Sequence, residues 1–513
     1  MTPPTPWATL RLVPLDGRPV CLAFVKQLAN LAGIGLLTPP AHALTPLGDV
    51  SQLKTPSPWP PLAQWLANTQ TQAQATLLSC DRVAHGGLIP ARLHSAPLET
   101  TLAHCQQVLE SLINSNEPHP IYGFSSICRI PNYNNAEEEP DDWATYGTAL
   151  YTYSRLAHQL GHTQAREQVP PAQLPEAVLQ AMLERRQRLH ALNEWWLSQA
   201  LPPYNKLASA VFCQDDTGPY GLNVQEAQAL ATACQLHPHT WVQTGADEVA
   251  HTLLARWAVE QALTQGKLAT KPTVWVAYTH PHVPLQLARF DGVSVAEVVA
   301  QRLASVGLSL ASSPQQADLL WLVHGAVGDP QHLNMGDHCQ LAPAITHESQ
   351  HASLRHWVDE ARLWGKPLLL GDVAYANGGD PTWVADLLAQ PKAAHVVTAY
   401  AGWNTPGNAL GCCLAMGTLH WLASQLGTLN PEAHRVALAH RLLEDVAYQA
   451  VLRQQFRPQA PYPTSALATA LTQAMQPDAQ AVLRWVGLPP ATQVEVTLPC
   501  GRWFEADLSF SVS

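Results

Sequence analysis

The chain contains 513 residues, of which 47% are hydrophobic and 13% are charged, and its formal net charge is −11 at pH 7. The apolar content is typical of globular proteins, and the length is enough for about three domains. With 28 basic against 39 acidic residues and no run of lysines or arginines, the composition excludes a general nucleic-acid binder.

The chain also lacks the sequence features of membrane and secreted proteins. It contains no uncharged apolar run of about 18 residues, and its first residues lack the cationic start and apolar stretch of a secretory signal. Its 10 cysteines show no zinc-binding or paired spacing. We therefore predict a cytoplasmic protein with reduced thiols, no membrane contact, and no bound metal or other cofactor.

Short apolar runs alternate along the chain with segments of helical periodicity. The runs predicted as strands are Leu10–Leu15, Thr76–Ser79, Ile121–Ser125, Leu207–Phe212, Thr240–Gln243, Thr273–Tyr278, Leu319–Val323, Pro367–Leu370 and His395–Ala399. The segments predicted as helices are Leu22–Ala32, Leu98–Leu112, Leu174–Gln199, Val224–Cys234, Val249–Leu263, Val295–Ser305, Ser353–Trp364 and Pro381–Leu388. This alternation predicts an α/β fold with mostly parallel sheets, since nearly continuous apolar strands need helices on both faces.

The pattern divides the chain into three predicted regions. Residues 1–266 form an N-terminal α/β domain, residues 267–426 form a second α/β domain, and residues 427–513 form a helical segment followed by a short β tail. The strand count leaves two architectures open. One is a barrel that also needs a run near Ile34–Leu37 and the first runs after residue 266, and the other is a pair of doubly wound sheets.

Polar residues follow almost every predicted strand, which is where ligand-binding groups gather in parallel α/β folds. The candidates at these positions are Asp16, Arg18, Asp81, Arg129, Asp215, Asp216, Asp247, Glu248, Asp372, Tyr400, Trp403 and Asn404. Every strand is followed by some polar residue, so a single such residue is weak evidence for a binding site. Their repetition predicts a pocket at the carboxyl ends of the strands.

The segment Gln214–Asn223 carries an adjacent pair of carboxylates, Asp215 and Asp216, where a strand gives way to a turn and then a helix. Two carboxylates about 5 Å apart repel by roughly 3 kcal/mol at an effective dielectric of 20, which separates their pKa values by about two units. One can then stay protonated as a general acid while the other stays ionised. The alternative is a turn that favours Asp, Gly and Pro for backbone reasons alone.

Three other motifs in the first half of the chain offer charged groups. Asp247 and Glu248 stand where a strand leads into a helix, as further carboxylates of the site or as helix-capping groups. Asp16 and Arg18 form either an ion pair or a clamp for an anion. The segment from Cys80 to Arg92 combines Asp81, His85 and Arg92 with two glycines, but these glycines do not form a phosphate-binding loop.

Two loops of the second domain are rich in amide, carboxylate and aromatic groups and contain neither lysine nor arginine. The first contains Asp372, Asn377 and Asp380, and the second contains Tyr400, Trp403 and Asn404. Such groups suit hydrogen bonding to a neutral polyol and stacking of a sugar ring on an aromatic face. Both loops also contain turn-forming dipeptides, so a structural role stays open.

The chain resembles a bacterial family labelled domain of unknown function 4127. The stretches that carry the resemblance are LVPLDGRPV, CDRVAHGGLIPAR, QDDTGPYGLNVQE, TGADEVA, LLGDVAYANGGD, AYAGWNTPGNALG and LPCGRWFE, which run from the first strand to the tail. The resemblance implies that these motifs belong to one site. It names no reaction.

Three functions fit these observations. The first is a hydrolase acting on a carbohydrate, with Asp215, Asp216 and Glu248 as acid/base residues; adjacent Asp pairs resemble those of hexosaminidases that use the substrate's acetamido group. Predicted substrate-binding residues are Asp16, Arg18, Asp81, Arg92, Arg129, Asn223, Asp247, Asp372, Asn377, Asp380, Tyr400, Trp403 and Asn404. The second is a divalent-metal hydrolase with oxygen ligands, and the third is a sugar-binding protein without catalysis. The low charge also suggests self-association into a homo-oligomer.

Overall fold

The computed structural model describes residues 5–44, 47–113, 119–235, 237–327 and 348–512. The first half of the chain forms a six-stranded sheet. Its strands are β1 (Ala8–Val13), β2 (Ile34–Leu37), β3 (Thr76–Ser79), β4 (Ile121–Ile127), β5 (Ser209–Gln214) and β6 (Thr240–Thr244). They are paired in the order β2-β1-β3-β4-β5-β6, and every pair is parallel.

The second half forms a five-stranded sheet. Its strands are β7 (Thr273–Tyr278), β8 (Ser309–Leu310), β9 (Leu319–His324), β10 (Leu368–Asp372) and β11 (Val397–Ala401), paired in parallel in the order β11-β10-β9-β7-β8. The α/β prediction is confirmed. Of the two open architectures, the structure has two doubly wound sheets, each of which reverses its strand order after the second strand.

Helices cover both sheets. In the first half they are α1 (Ala23–Leu31), α2 (Val50–Leu53), α3 (Trp59–Asn68), α4 (Cys80–His85), α5 (Leu88–Leu93), α6 (Leu98–Ile113), α7 (Trp143–Leu160), α8 (His162–Gln168), α9 (Glu176–Ala200), α10 (Leu222–Cys234) and α11 (Val249–Thr264). In the second half they are α12 (Val295–Val306), α13 (Glu348–Trp364), α14 (Pro381–Leu388), α15 (Pro406–Leu426), α16 (Pro431–Leu442), α17 (Arg453–Phe456) and α18 (Ser465–Val486).

A π-helix, Leu443–Leu452, joins α16 to α17, and the tail pairs β12 (Thr492–Thr497) with β13 (Asp507–Val512) in antiparallel register. The helical segment and β tail predicted from the sequence are therefore present. The sequence pattern did not predict β8, which has only two residues, both of them exposed.

One apolar core connects the two sheets. Helices α11 and α15 pack against each other, and about three quarters of the residues of each are buried. A helix that is apolar on all sides must be enclosed, because only then does its whole surface leave water. The core positions both sheets rigidly, so the loops at the carboxyl ends of their strands are held in fixed places.

None of the described helices is long and apolar enough to cross a membrane. The cysteines that the structure describes are all buried and free. The three domain boundaries, the cytoplasmic location and self-association stay predictions.

Candidate functional site

The loops that follow the strands of the first sheet bring arginines and carboxylates together. We call this the first-sheet edge; it contains Asp16, Arg18, Arg92, Arg129, Glu138, Glu139, Asp215, Asp216, Asp247, Arg502 and Glu505. Four arginines here face seven carboxyl groups. Because carboxyl groups outnumber arginines, their negative charges are not all balanced to the same degree. The carboxyl group with the least positive charge beside it keeps a proton most readily.

Asp215 is held by Arg92, which donates to its Oδ2 from Nε at 3.1 Å and from Nη2 at 2.7 Å. Burial acts to raise the pKa of Asp215, but Arg92 and Arg129 outweigh burial, and the pKa lies below its usual value. Asp215 is therefore ionised at neutral pH. Its Oδ1 accepts no hydrogen bond from the residues that the structure describes.

Asp216 differs from its neighbour in the direction of its pKa shift, in exposure and in backbone conformation. Its Oδ2 accepts from Arg129 Nη1 at 2.8 Å, and 33% of its side chain is exposed. Burial raises the pKa of Asp216; Arg129 opposes this, and the charge of Asp215 adds to it. Its φ of 26° is rare for a residue with a side chain, and strained backbone of this kind clusters at functional sites.

Arg129 connects Asp216 to the acidic loop that precedes α7. Its Nε donates to Glu139 at 2.9 Å, and its Nη2 donates both to Glu138 at 2.8 Å and to the Tyr133 hydroxyl at 2.7 Å. Tyr133 is 41% exposed, so an aromatic face lies next to the two aspartates at the surface. The guanidinium fixes both the loop and Asp216, because its donors are arranged in a rigid plane.

Arg18 is a second centre of the same network. It donates through Nε to Asp16 at 2.8 Å, through Nη2 to Asp247, and through Nη1 to Glu505 at 3.3 Å. Arg502 donates to Glu138 and, at 3.0 Å, to Glu505, which joins the two centres. The C-terminal tail thus completes a network that begins in the first strand.

The two sheets meet at Asp247. Burial raises the pKa of this carboxyl group, and Arg18 opposes the effect. Asn404, which follows β11, donates to Asp247 Oδ2 at 3.3 Å, and Asn408 Oδ1 accepts from the Asp247 backbone N–H at 3.3 Å. Residues that follow β6 and β11 therefore lie side by side, as expected for loops at the carboxyl ends of two parallel sheets.

Three more predicted residues of the first half lie outside this network of ion pairs. Asp81 accepts from Ser126 N at 2.8 Å and Ser126 Oγ at 3.0 Å, and burial raises its pKa to about 6. Asn223 donates to Thr217 Oγ1 at 3.0 Å, which supports the turn after Asp216. Glu248 is fully buried against Arg302 inside the core, where burial raises its pKa to about 7.

The loops of the second sheet form a different arrangement, which we call the second-sheet edge; it contains His324, Asp372, Asp380, Tyr400 and Asp445. Asp372 Oδ2 accepts from the Tyr400 hydroxyl at 3.0 Å and from Asp380 N at 2.7 Å. Asp380 caps α14 by accepting from Thr382 N at 2.8 Å, and it faces His324 Nε2 at 3.3 Å. All five side chains are buried.

Two other predicted residues of these loops have structural neighbours. Trp403 is buried, and its ring meets Phe504 edge to face at 5.8 Å between centroids. Asn377 has a φ of 60°, and its backbone N–H donates to Asn404 O at 2.8 Å. Whether the residues of this edge contact a substrate stays a prediction.

Sequence reasoning missed several residues of both edges. It did not select Glu138 or Glu139 of the acidic loop as site residues, and it quoted the tail motif without selecting Arg502 or Glu505. Asp445 of the π-helix accepts from Gly402 N at 2.7 Å and pairs with Arg441 at 3.0 Å. The acidic loop and the motif LPCGRWFE were usable signals, whereas the role of Asp445 depends on packing alone.

No group of three or more His, Cys, Asp or Glu residues that could hold a metal ion occurs within the described ranges. The carboxylates of the first-sheet edge are turned towards arginines instead. The described residues therefore offer no set of metal ligands for the second sequence hypothesis, a divalent-metal hydrolase.

A model of the family described as "Protein of unknown function (DUF4127)" matches residues 10–509, and the chain belongs to that family. The comparison with curated proteins finds no match. Among solved structures, the chain matches the anaerobic ribonucleotide reductase from Thermotoga maritima at 8% identity and a TM-score of 0.20, with 67% of this chain and 62% of that chain covered. The chain thus spans less than two thirds of that protein.

Proposed function

We propose that this member of the domain of unknown function 4127 family is a hydrolase that cleaves a glycosidic bond, with Asp216 as the general acid. One observation carries the proposal: the pKa values of two adjacent aspartates are displaced in opposite directions, Asp215 downwards and Asp216 upwards. Such a separation is how an active site assigns an acid and an ionised partner at one pH.

The chemistry follows from the free oxygen of each carboxyl group. Asp216 Oδ2 is held by Arg129, so Oδ1 carries the proton to the leaving oxygen of the substrate. Asp215 stays ionised, and its Oδ1 is free to accept a hydrogen bond from a substrate amide or hydroxyl group, or to stabilise positive charge that develops on the sugar ring.

The surroundings favour a neutral, ring-shaped substrate. Tyr133, whose hydroxyl accepts from the Arg129 guanidinium that holds Asp216, is 41% exposed, and an aromatic face is a common platform for a sugar ring. The excess of carboxyl groups over arginines disfavours an anionic substrate. Asn404 offers a further amide from the second sheet.

The test is hydrolysis of a panel of aryl and alkyl glycosides, N-acetylhexosaminides included. Asp216→Asn is expected to lower kcat/KM for alkyl glycosides by about 10²–10⁴-fold and to leave dinitrophenyl glycosides nearly unchanged, because a good leaving group needs no proton. Asp318→Asn is the matched control, since Asp318 lies at the amino end of β9 and only binds Thr273. An equal loss for both substrate types would contradict the assignment.

A second function is supported by a separate observation. Every carboxylate of the first-sheet edge is bound to at least one arginine. Rigid, preorganised acceptors of this kind also suit a sugar-binding protein without catalysis. Saturable binding of a sugar that is never converted, with equal affinity in Asp216→Asn, would favour this function.

A further inference from the structure

A small cavity between α4, α6 and α9 combines basic side chains with apolar walls. Its polar lining comes from His85, His94, Thr101, Arg185 and Arg188, and Leu98 and Leu192 are among its apolar residues. None of its lining residues is acidic. The two arginines are half-buried, and a cavity with this charge needs an explanation because cations that are partly removed from water in proteins are normally paired.

His85 is a buried polar group of the cavity. It is 6% exposed, and neither of its ring nitrogens has a hydrogen-bond partner among the described residues. The His94 ring lies against it at 4.3 Å between centroids. Burial, and to a smaller degree His94, lower the pKa of His85 to about 3. An imidazole with two unsatisfied nitrogens in a buried place points to a bound water or ion.

The two arginines stand on one side of α9, and neither forms an ion pair with a carboxylate within the described ranges. Arg188 donates only to the His94 backbone oxygen, at 3.5 Å, and Arg185 Nε is buried without a partner in the described structure. The arginine between them in sequence behaves differently, since Arg186 binds both carboxylate oxygens of Glu226, with the longer contact at 2.7 Å. Burial and the charge of Arg188 both lower the pKa of Arg185, and Asp142 and Glu139 offset this only in part.

The size of the cavity limits its ligand. Its internal volume is about 10 Å³, which accommodates roughly one water-sized particle. A water molecule would satisfy the imidazole nitrogens but would bring no negative charge to either guanidinium group. A monatomic anion of the halide class is somewhat larger than a water molecule but much smaller than a tetrahedral oxyanion, and it also compensates those charges.

We propose that His85, His94, Arg185 and Arg188 form a binding site for a monatomic inorganic anion of the halide class, with chloride as its representative. The site is separate from the paired aspartates. It admits a spherical anion in preference to a larger tetrahedral oxyanion, because the apolar walls leave no room for four oxygens.

The test uses the full-length protein and the ³⁵Cl NMR line width of chloride, which broadens when the ion exchanges with a site on a large molecule. The double variant Arg185→Gln/Arg188→Gln is expected to lose at least about tenfold in chloride affinity relative to the wild type. The single variant Arg188→Gln should lose part of the chloride affinity. Arg155→Gln is the control, since Arg155 is an exposed arginine of α7 outside the cavity.

Each result bears on the proposal. Site-specific broadening that the double variant loses and Arg155→Gln keeps would support it. Equal broadening in all proteins, or none in the wild type, would overturn it and leave a water molecule as the occupant. Displacement of chloride by an equal concentration of inorganic phosphate would overturn the size selection. Circular dichroism of each variant checks that the loss is not one of folding.

Discussion

The first-sheet and second-sheet edges occupy the same place in their sheets, yet they hold their carboxylates in different ways. At the first-sheet edge, arginines bind the acids, and Asp216 is one-third exposed. At the second-sheet edge, Asp372 accepts from a tyrosine hydroxyl and a backbone N–H, and it is fully buried. A polar residue after a strand is therefore a weak indicator of function until its exposure and its counter-charges are known.

The largest expected effect concerns the ion pairs of the first-sheet edge. Arg92→Met leaves Asp215 buried without its guanidinium and should lower the free energy of unfolding by about 3–5 kcal/mol. The double variant Arg92→Met/Asp215→Leu should recover most of that free energy of unfolding. Urea denaturation measures both.

The control for this prediction is Arg355→Met, because Arg355 pairs with Asp386 at 2.9 Å on an exposed part of α13. Arg355→Met should lower the free energy of unfolding by less than about 1 kcal/mol. Equal losses for Arg92 and Arg355 would remove the distinction between a buried network and surface pairs.

A second prediction separates Asp81 from the arginine-paired acids. Its pKa is raised by burial to about 6, so the folded protein binds its proton more tightly than the unfolded chain does. The stability that this proton contributes is complete below about pH 4 and is lost as the pH rises through about 6. Asp81→Asn should therefore gain about 2–3 kcal/mol relative to the wild type between pH 4 and pH 7.

Denaturation of both proteins at several pH values measures the difference in their free energies of unfolding. The contributions of the other titrating groups cancel in this difference. Asp49→Asn is the control, because Asp49 is exposed and hydrogen bonds from Ser51 and Gln52 lower its pKa. A pH-independent difference between Asp81→Asn and the wild type would contradict the raised pKa.

A third prediction addresses the second-sheet edge. Tyr400→Phe removes the hydroxyl that donates to Asp372 and should cost about 1.5 kcal/mol of stability. Tyr462→Phe is a matched control, since its hydroxyl donates to Glu137 at 2.7 Å but the residue is 47% exposed. Thermal denaturation should separate the two variants; if Tyr400→Phe instead lowers activity at unchanged stability, the second-sheet edge takes part in function.

The smallest expected effect is a shift of the pH profile. Ionised Asp215 helps to raise the pKa of Asp216, so Asp215→Asn should lower the pKa of Asp216. Activity needs protonated Asp216 and falls as the pH rises through its pKa. The basic limb of kcat/KM should therefore move to lower pH by on the order of one unit. A basic limb at the same pH in Asp215→Asn and in the wild type would contradict the coupling of the two aspartates.

The sequence predicted the fold because α/β patterning is local. Strand β3 lies where its apolar run predicted it, and Gln214-Asp215-Asp216 marks the end of β5. The sheet architecture stayed open, since apolar periodicity is the same in a barrel and in an open sheet. The short β8 escaped detection because two exposed residues carry no pattern.

The candidate site was predictable only in part, because its ion pairs join residues far apart in the chain. The sequence marked Asp215 and Asp216 as an adjacent pair but left open which of them is the acid, because that depends on the arginines that fold against each one. The Arg18–Glu505 contact spans 487 positions, and no local signal connects the two residues. Trp403 illustrates the converse, since a tryptophan in a polar loop looks available for stacking but packs against Phe504.

The central claim is that the two adjacent aspartates titrate apart, and carboxyl ¹³C NMR of ¹³C-aspartate-labelled protein tests it most directly. The Asp215→Asn and Asp216→Asn variants assign the two signals. The account predicts that Asp215 titrates below the ordinary aspartate value of about 3.9 and that Asp216 titrates above it. Two signals that both titrate near 3.9, or a higher pKa on Asp215, would contradict the account.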